Sequence, residues 1–194
     1  MDIKFTYFDM PGRGEQVRLL LKYAKASFED IRMQMADWPK EKKSGKFEFE
    51  QLPVLQYKGK QLSQTPAIMI FLGRQFGYMA GNQSDDTDIV NILNALGDLF
   101  NTYSGWLFAK EDRQTKKDNY YKNYIPLIFG KFEKKLKDNR NYIVGNKLSV
   151  ADFAFAGYAR ATLLSPTEVS DYAPSFVSCP HFKTYIEKIY KQLG

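Results

Sequence analysis

The chain has 194 residues, of which 44% are hydrophobic and 15% aromatic, and it carries a formal net charge of +6. This content excludes global disorder, and the sequence has no run of about 18 apolar residues that would span a bilayer. A single Cys and a single His exclude an internal disulfide framework and a metal site built mainly from these residues. The charged start, broken by Pro and Gly, lacks the apolar core of a signal peptide, so we expect a cytoplasmic protein with no membrane partner.

The positive charge does not indicate a nucleic-acid partner. The 28 Lys and Arg residues are interleaved with 22 Asp and Glu residues, as in KEKKSGKFEFE and KFEKKLKDNR. A nucleic-acid interface instead concentrates its basic residues in one stripe or patch. We therefore interpret the charge as a mixed, solvated surface whose weak positive field helps to capture a small anionic ligand.

Short strands and helices alternate over residues 1–76. Apolar and polar residues alternate in IKFTY, and after a Pro and Gly break the apolar positions take helical spacing. A weaker strand at EDIRM, an irregular charged segment over 38–50 and a hairpin at VLQYKGKQL follow. Thr65 and Pro66 then predict a helix start, with Thr65 as its N-cap. The predicted order is β-α-β, an irregular segment, and β-β-α.

The second half of the sequence is predicted to be helical throughout. Residues 77–84 are predicted to form a linker, and no strand is predicted after it over 85–194. Apolar spacing predicts a long helix through Tyr103, a second helix over 114–137 that Pro126 kinks, and a last helix over 180–192. Ser149 and Asp152 form a capping-box variant at the start of another helix. The predicted fold is therefore a small α/β domain at 1–76 followed by an all-α domain.

Two positions in the first domain favour chemistry at the edge of the sheet. Tyr7 ends the first strand, where its hydroxyl would face a cleft and donate to a ligand thiolate; the alternative is a half-buried strand tyrosine. Leu52 precedes Pro53, and a cis bond there would turn the backbone of Leu52 outward toward an extended peptide. An ordinary proline at a strand start is the alternative for this pair.

Two further segments suit a carboxylate. Gln64 and Thr65 directly precede or begin a helix, whose free backbone amides favour an anion, although simple capping explains the same residues. Trp38 offers an aromatic wall beside a cationic cluster, which a solvated basic loop explains equally well. The cluster consists of Lys42, Lys43 and Lys46.

Other reactive or aromatic residues are weaker candidates. Cys179 and His181 are neighbours in sequence, but such neighbours rarely pair as nucleophile and base, so we predict no catalytic role for them. The aromatic residues of the helical half mostly form its core. Tyr103, Trp106 and Phe108 are those that would line an apolar pocket.

Five motifs in order resemble those of the cytosolic glutathione S-transferases, in particular the sigma class. They are TYFDMPGRGEQVRLLL, ADWPK, QLPVL, QTPAI and GNKLSVADF, and together they span nearly the whole chain. The resemblance implies a thioredoxin-like N-terminal domain, an all-α C-terminal domain and a homodimer. It also implies glutathione as a co-substrate and a small hydrophobic electrophile as the second substrate.

The resemblance implies a role for each matching position. Tyr7 matches the catalytic tyrosine that stabilises the glutathione thiolate, and Arg13 matches the arginine that tunes this site. Trp38 and Lys42 match the residues that hold the glycyl carboxylate. Gln51 and Leu52 match the pair before the cis proline, here Pro53, with Leu52 binding the cysteinyl backbone. Gln64 and Thr65 match the residues that bind the γ-glutamyl group, and Asp98 matches the acidic residue that reaches into the partner subunit's site.

Some positions depart from the sigma pattern. Thr65 replaces the commoner Ser, and a longer loop leaves the choice among Lys42, Lys43 and Lys46 open. Phe49 falls where related classes place a dimer-locking aromatic residue, so the dimer type is open as well.

We therefore predict a glutathione transferase that conjugates small hydrophobic electrophiles. The second substrate is not identified by the sequence, and Tyr103 and Trp106 are predicted to hold it. Two alternatives remain: a non-catalytic binding or structural relative, such as an S-crystallin or ligand carrier, and a glutathione-dependent prostaglandin isomerase or peroxidase. The lack of a CxxC motif argues against thiol–disulfide exchange.

Overall fold

The computed structural model describes residues 3–138 and 140–193, which begin with a mixed four-stranded sheet in the order β2-β1-β3-β4. Strand β1 (Ile3–Phe8) pairs in parallel with β2 (Glu29–Met33) and antiparallel with β3 (Val54–Tyr57). The second edge of β3 pairs with β4 (Lys60–Ser63), which forms the predicted hairpin. Strand β1 is therefore interior to the sheet, and its end carries Tyr7.

Three helices accompany the sheet, and the first and the third match the two helices that the sequence predicts. They are α1 (Glu15–Tyr23), which follows a 3-10 turn at Gly12–Gly14, α2 (Trp38–Lys42) and α3 (Thr65–Phe76). Helix α2 lies in the segment predicted to be irregular, and a proline in its first turn fixes a backbone angle compatible with a helix start. The predicted thioredoxin-like fold is confirmed by this arrangement.

The predicted N-cap of α3 is wrong by one residue. Thr65 is already helical, and Gln64 occupies the N-cap position without a capping hydrogen bond from its side chain. Gln64 has a φ of 68°, and its carbonyl accepts the first helical bond, from Ile68 N–H at 3.0 Å. The sharp turn at Gln64 moves the helix start, so the Thr65 hydroxyl does not occupy the capping position.

The remaining regular elements are helical, with no strand after β4 within 64–138 and 140–193. Helix α4 begins at Gln83, so the last two residues of the predicted linker belong to the helix. The helices are α4 (Gln83–Leu107), α5 (Arg113–Asn119), α6 (Ile125–Leu136), α7 (Val150–Tyr158), α8 (Val169–Val177) and α9 (Pro180–Leu193).

The helix predicted over 114–137 is interrupted rather than only bent. Helices α5 and α6 are joined by a π-helical turn at Tyr120–Tyr124, directly before the first turn of α6, which contains Pro126. Proline has no N–H to donate and crowds the preceding turn, so the wider turn accommodates it. A second π-helical turn, Ala159–Leu163, follows α7.

Close packing joins the sheet domain to the helical domain. A Cβ on Gly157 of α7 would lie 2.5 Å from the backbone nitrogen of Gln16 in α1, so this contact requires glycine.

The predicted capping box of α7 is confirmed, because the buried Asp152 accepts from Ser149 N–H at 2.8 Å. Asp152 also accepts from the Tyr185 hydroxyl at 2.7 Å, which ties α7 to α9. No helix among the described residues combines the length and apolar character needed to cross a membrane.

Candidate functional site

Tyr7 is enclosed by the glycine turn that follows β1. Its side chain is 7% exposed, and a Cβ on Gly14 would lie 2.4 Å from Tyr7 Cδ1. Gly12 has a φ of +42°, and a Cβ there would lie 2.6 Å from Tyr7 Oη. These two glycines let the backbone lie against the ring, which brings Arg13 N–H to 3.0 Å from Tyr7 Oη.

The Tyr7 hydroxyl keeps its proton at neutral pH. Burial raises the pKa of Tyr7, against the lowering effects of the Arg13 backbone hydrogen bond and of the Arg13 and Arg18 charges. Because Oη accepts from Arg13 N–H, the hydroxyl proton is left to donate to another group. A ligand sulfur is a suitable acceptor for this proton, and its thiolate form would be favoured.

Arg13 connects the glycine turn to α4. Its Nη2 donates to Asn101 Oδ1 at 2.8 Å and to the Gly97 carbonyl at 3.4 Å, and its guanidinium carbon lies 5.3 Å from the centre of the Phe100 ring. Burial lowers the pKa of Arg13, while Tyr7 and Asp98 raise it. An arginine remains charged at neutral pH, so the turn presents a cation beside Tyr7.

A cleft of about 660 Å³ brings most of the predicted binding residues together. Those that line it are Arg13, Trp38, Lys42, Gln51, Leu52, Pro53, Gln64, Thr65 and Asp98. The sequence analysis missed further lining residues, namely Phe8, Glu50, Pro66, Asn94, Gly97 and Asn101. The polar residues at 94, 98 and 101 recur at helical spacing on α4, which is a signal that the sequence did offer.

The lining of the cleft has an unusual backbone at Gln64. Its φ of 68° lies where residues other than glycine are seldom found, at a cost of about 1–3 kcal/mol. Gln64 Nε2 donates to Gln51 Oε1 at 3.0 Å, so the two glutamines form one wall. Thr65 begins α3, whose first backbone N–H groups have no partner within the helix. The Leu52–Pro53 bond in the same wall is cis.

Trp38 and one lysine of the basic cluster also line the cleft. Trp38 packs edge-on against Phe8 and Phe47, with ring centroids 5.7 and 5.3 Å apart. Lys42 lines the cleft. Lys46 instead pairs with Glu41 at 2.9 Å. Among the three lysines, this arrangement favours Lys42 as the one that contacts a ligand in the cleft.

A second cavity, of about 230 Å³, adjoins the cleft and is mainly apolar. It shares Phe8, Arg13 and Leu52 with the cleft, so the two are neighbours. Its other lining residues are Tyr7, Met10, Gly12, Met35, Phe100, Tyr103, Ser104, Leu107, Phe108, Ala161 and Thr162. The cavity therefore offers an apolar space next to the Tyr7 hydroxyl.

Trp106 lies outside the lining of both cavities, unlike the other predicted residues. Its ring packs against Tyr103 and Tyr121, at 5.3 and 5.8 Å between centroids, and Lys117 Nζ lies 5.5 Å from the ring centre. Trp106 and Tyr103 are three residues apart on α4, so they are neighbours on one face of the helix and their rings touch, but only Tyr103 lines the cavity.

Cys179 and His181 lie in surroundings typical of residues with a structural role. Cys179 is 2% exposed, and burial raises the pKa of its thiol. His181 Nδ1 lies 2.5 Å from Glu133 Oε1, and Glu133 also accepts from Phe182 N–H at 2.8 Å at the start of α9. Within 3–138 and 140–193, no group of three or more His, Cys, Asp or Glu side chains is arranged to hold a metal ion.

Comparison with known proteins gives two domain matches and many similar chains. Residues 3–74 match the family "Glutathione S-transferase, N-terminal domain", and residues 97–192 match "Glutathione S-transferase, C-terminal domain". Glutathione S-transferase 2 of Onchocerca volvulus is 34% identical over 157 residues, covering 79% of this chain and 74% of that protein.

Solved structures show the same fold over nearly the whole length. The prostaglandin synthase D of Nilaparvata lugens has a TM-score of 0.84 and 27% identity, covering 98% of this chain and 93% of that one. Na-GST-3 of Necator americanus, described as a monomeric glutathione S-transferase, has a TM-score of 0.81 and 29% identity, covering 99% and 95%.

Proposed function

Because the chain belongs to the glutathione S-transferase family and is a glutathione transferase, we propose that Tyr7 activates the glutathione thiol for attack on small hydrophobic electrophiles. The observation that carries this proposal is the hydrogen bond from Arg13 N–H to Tyr7 Oη. That bond fixes the hydroxyl as an acceptor on one side and leaves its proton for the glutathione sulfur.

The activation follows from the acidity of thiols. A free thiol has a pKa of about 8.5, so only a few per cent is ionised at neutral pH. A hydrogen bond from Tyr7, together with the Arg13 cation, would favour the thiolate. A drop of about two pKa units corresponds to roughly 2.7 kcal/mol and makes the thiolate the main species at neutral pH.

The cleft supports a tripeptide with a carboxylate at each end. Lys42 and Trp38 would hold the glycyl carboxylate, and the start of α3 at Thr65 would hold the γ-glutamyl carboxylate. Gln51 and Gln64 would hydrogen-bond polar groups at the γ-glutamyl end of the tripeptide. The electrophile would occupy the second cavity, whose walls include Phe100 and Tyr103.

The direct test of this function uses the wild-type protein on immobilised glutathione and in solution. We expect retention on the matrix, elution by free glutathione, and conjugation of glutathione to a small aryl halide. A panel with a prostaglandin endoperoxide and an organic hydroperoxide distinguishes isomerase and peroxidase activities, which use the same thiolate. Retention without turnover of any substrate would contradict the proposal and favour a binding role.

Lys42 should contribute to glutathione binding, and its neighbour Lys43 should not. Lys42 lines the cleft, whereas Lys43 follows α2 and is exposed. We expect Lys42→Met to raise KM for glutathione about fivefold, because one partly solvated charge contributes about 1 kcal/mol. The matched variant Lys43→Met should leave this KM within a factor of about two. Equal effects of the two variants would remove Lys42 from the site.

We also propose a sigma-like class, a homodimer and a cytoplasmic location. The sequence motif around Tyr7 and Arg13 supports the class, and Phe49, which is 54% exposed, supports a surface available for subunit contact. Asp98 is exposed at the rim of the cleft, where it would reach a partner subunit's site. Sedimentation equilibrium tests the dimer directly, since a mass of 22.5 kDa at all concentrations would exclude it.

A further inference from the structure

Glu168, directly before α8, is held by two tyrosines from different parts of the helical domain. The Tyr103 hydroxyl on α4 donates to Glu168 Oε1, and the Tyr121 hydroxyl donates to Oε2 at 2.9 Å. Each carboxylate oxygen therefore accepts from one phenol. Glu168 is only partly exposed, and it lines neither the cleft nor the adjoining cavity.

The direction of these hydrogen bonds follows from the acidity of the groups. A phenol has a pKa of about 10 and a carboxylic acid of about 4, so at neutral pH the protons reside on the tyrosines. Burial raises the pKa of Tyr103 and of Tyr121 further, and Glu168 adds to the effect. Both phenols therefore act as donors and the carboxylate as the acceptor.

This arrangement determines which hydroxyl groups of the cavity lining are able to donate a proton to a bound electrophile. Tyr103 lines the cavity, but its proton is directed to Glu168. Thr162 also lines the cavity, and its Oγ1 donates to the Tyr158 carbonyl at 2.9 Å. Tyr7 is the phenol proposed to donate to sulfur, which leaves Ser104 as the remaining hydroxyl of the lining, and an aliphatic alcohol is a far weaker acid than a phenol.

We propose that Glu168 determines electrophile specificity by holding the Tyr103 proton away from the cavity, so that the enzyme favours electrophiles that need no proton at the reacting centre. Aryl halides belong to this class, whereas epoxides and α,β-unsaturated carbonyls do not. Glu168 is a positioning residue here, because it acts through Tyr103. The proposal rests on the proposed function, since it assigns the second cavity to the electrophile.

The chemical difference between these substrates lies in where the electron pair goes. With an aryl halide, the sulfur–carbon bond forms and the carbon–halogen bond breaks, and the halide leaves without a proton. With an epoxide, the sulfur–carbon bond forms and a carbon–oxygen bond breaks, and the oxygen carries the electron pair until it gains one proton. A phenol donor at that oxygen accelerates the step, and without it the proton comes from water.

The experiment measures kcat/KM for an epoxide and for an aryl halide in each variant and compares their ratio. Glu168→Leu removes both acceptor oxygens, so the Tyr103 proton is freed toward the cavity. We expect the epoxide-to-aryl-halide ratio to rise about fivefold, which is below the gain that a fully aligned acid gives. The rise should vanish in the double variant Tyr103→Phe/Glu168→Leu.

Control variants separate this effect from a loss of structure. Glu187→Leu changes an exposed glutamate on α9 and should leave the ratio unchanged. Glu168→Gln keeps one acceptor oxygen, which is able to hold the Tyr103 proton, so the ratio should rise less than in Glu168→Leu. If Glu168→Leu does not fold, the smaller replacement Glu168→Ala, which also removes both acceptor oxygens, decides the matter by the same ratio.

The outcomes distinguish this proposal from the proposed function. An unchanged ratio in a folded variant that lacks both acceptor oxygens, or a rise that persists without the Tyr103 hydroxyl, overturns the role of Glu168 alone. If the wild-type protein conjugates neither substrate, the proposed function fails and this proposal fails with it. A rise that depends on Tyr103 supports both.

Discussion

Tyr7→Phe should lower the rate of glutathione conjugation at neutral pH by at least about tenfold while leaving glutathione affinity nearly intact. The ring of Tyr7 is buried against Gly12 and Gly14, so phenylalanine fills the same space. Only the hydroxyl is lost, and with it the donor to the thiol. The measurement is kcat with an aryl halide at saturating glutathione, together with binding of glutathione by calorimetry.

The pH dependence of the variant gives a second criterion. Without the donor, the thiol pKa should rise toward its free value of about 8.5, so the rate deficit should shrink as the pH rises through that value. Tyr23→Phe is the matched control, since Tyr23 is exposed on α1 and should not affect the rate. A Tyr7→Phe rate equal to that of wild type at every pH would exclude Tyr7 as the activating residue.

Arg18→Met should destabilise the protein by about 3–5 kcal/mol, the range for removing one partner of a buried charge network. Arg18 on α1 is fully buried, and its Nε donates to the Asp30 carboxylate at 3.0 and 3.2 Å. Its guanidinium also donates to the carbonyls of Met10 and Phe8, at 2.9 and 3.2 Å. Methionine retains the apolar stem but leaves these acceptors without their donor.

The measurement for Arg18 is the free energy of unfolding from urea titration. Lys22→Met, one turn further along α1, changes an exposed residue of the same charge and should shift this free energy by no more than about 0.5 kcal/mol. Since Arg18 also lies beside the carbonyls that follow Tyr7, the variant should reduce activity as well. A loss of less than about 1 kcal/mol would show that the network contributes little to stability.

The order of elements could be predicted because the sequence signals are local. Alternating residues in β1, the Lys58–Gly59 turn and the Ser149–Asp152 capping box each encode their own structure, and the structure confirms them. Helix boundaries were less accurate. The start of α3 depends on the φ of Gln64, and a side chain other than glycine gives no warning of such a conformation.

Much of the cleft could also be anticipated, because its residues belong to recognisable motifs. The residues that α4 contributes were harder to assign: the helical spacing of Asn94 and Asn101 places them on one face, but only the packing of α4 beside Arg13 shows that this face lines the cleft. Trp106 shows the converse case. Its ring packs against Tyr103 and Tyr121 in an aromatic cluster, outside the cavity that Tyr103 lines.

The Glu168 contacts illustrate why long-range polar pairs escape a sequence analysis. Glu168 is 65 residues from Tyr103 and 47 from Tyr121, and no local pattern links them. Their meeting depends on the π-helical turn before α6 and on the position of α8, which are tertiary features. Only the folded chain identifies the carboxylate that accepts the Tyr103 proton.

The most direct test of Tyr7 as the activating residue is the pKa of the glutathione thiol when bound to the enzyme. It is measured by titrating the ultraviolet absorbance of the thiolate in the binary complex, in wild type and in Tyr7→Phe. We expect a thiol pKa about two units below the free value of about 8.5 in wild type and at least about one unit higher in the variant, where only the Arg13 cation still favours the thiolate. The same pKa in both proteins would contradict the account.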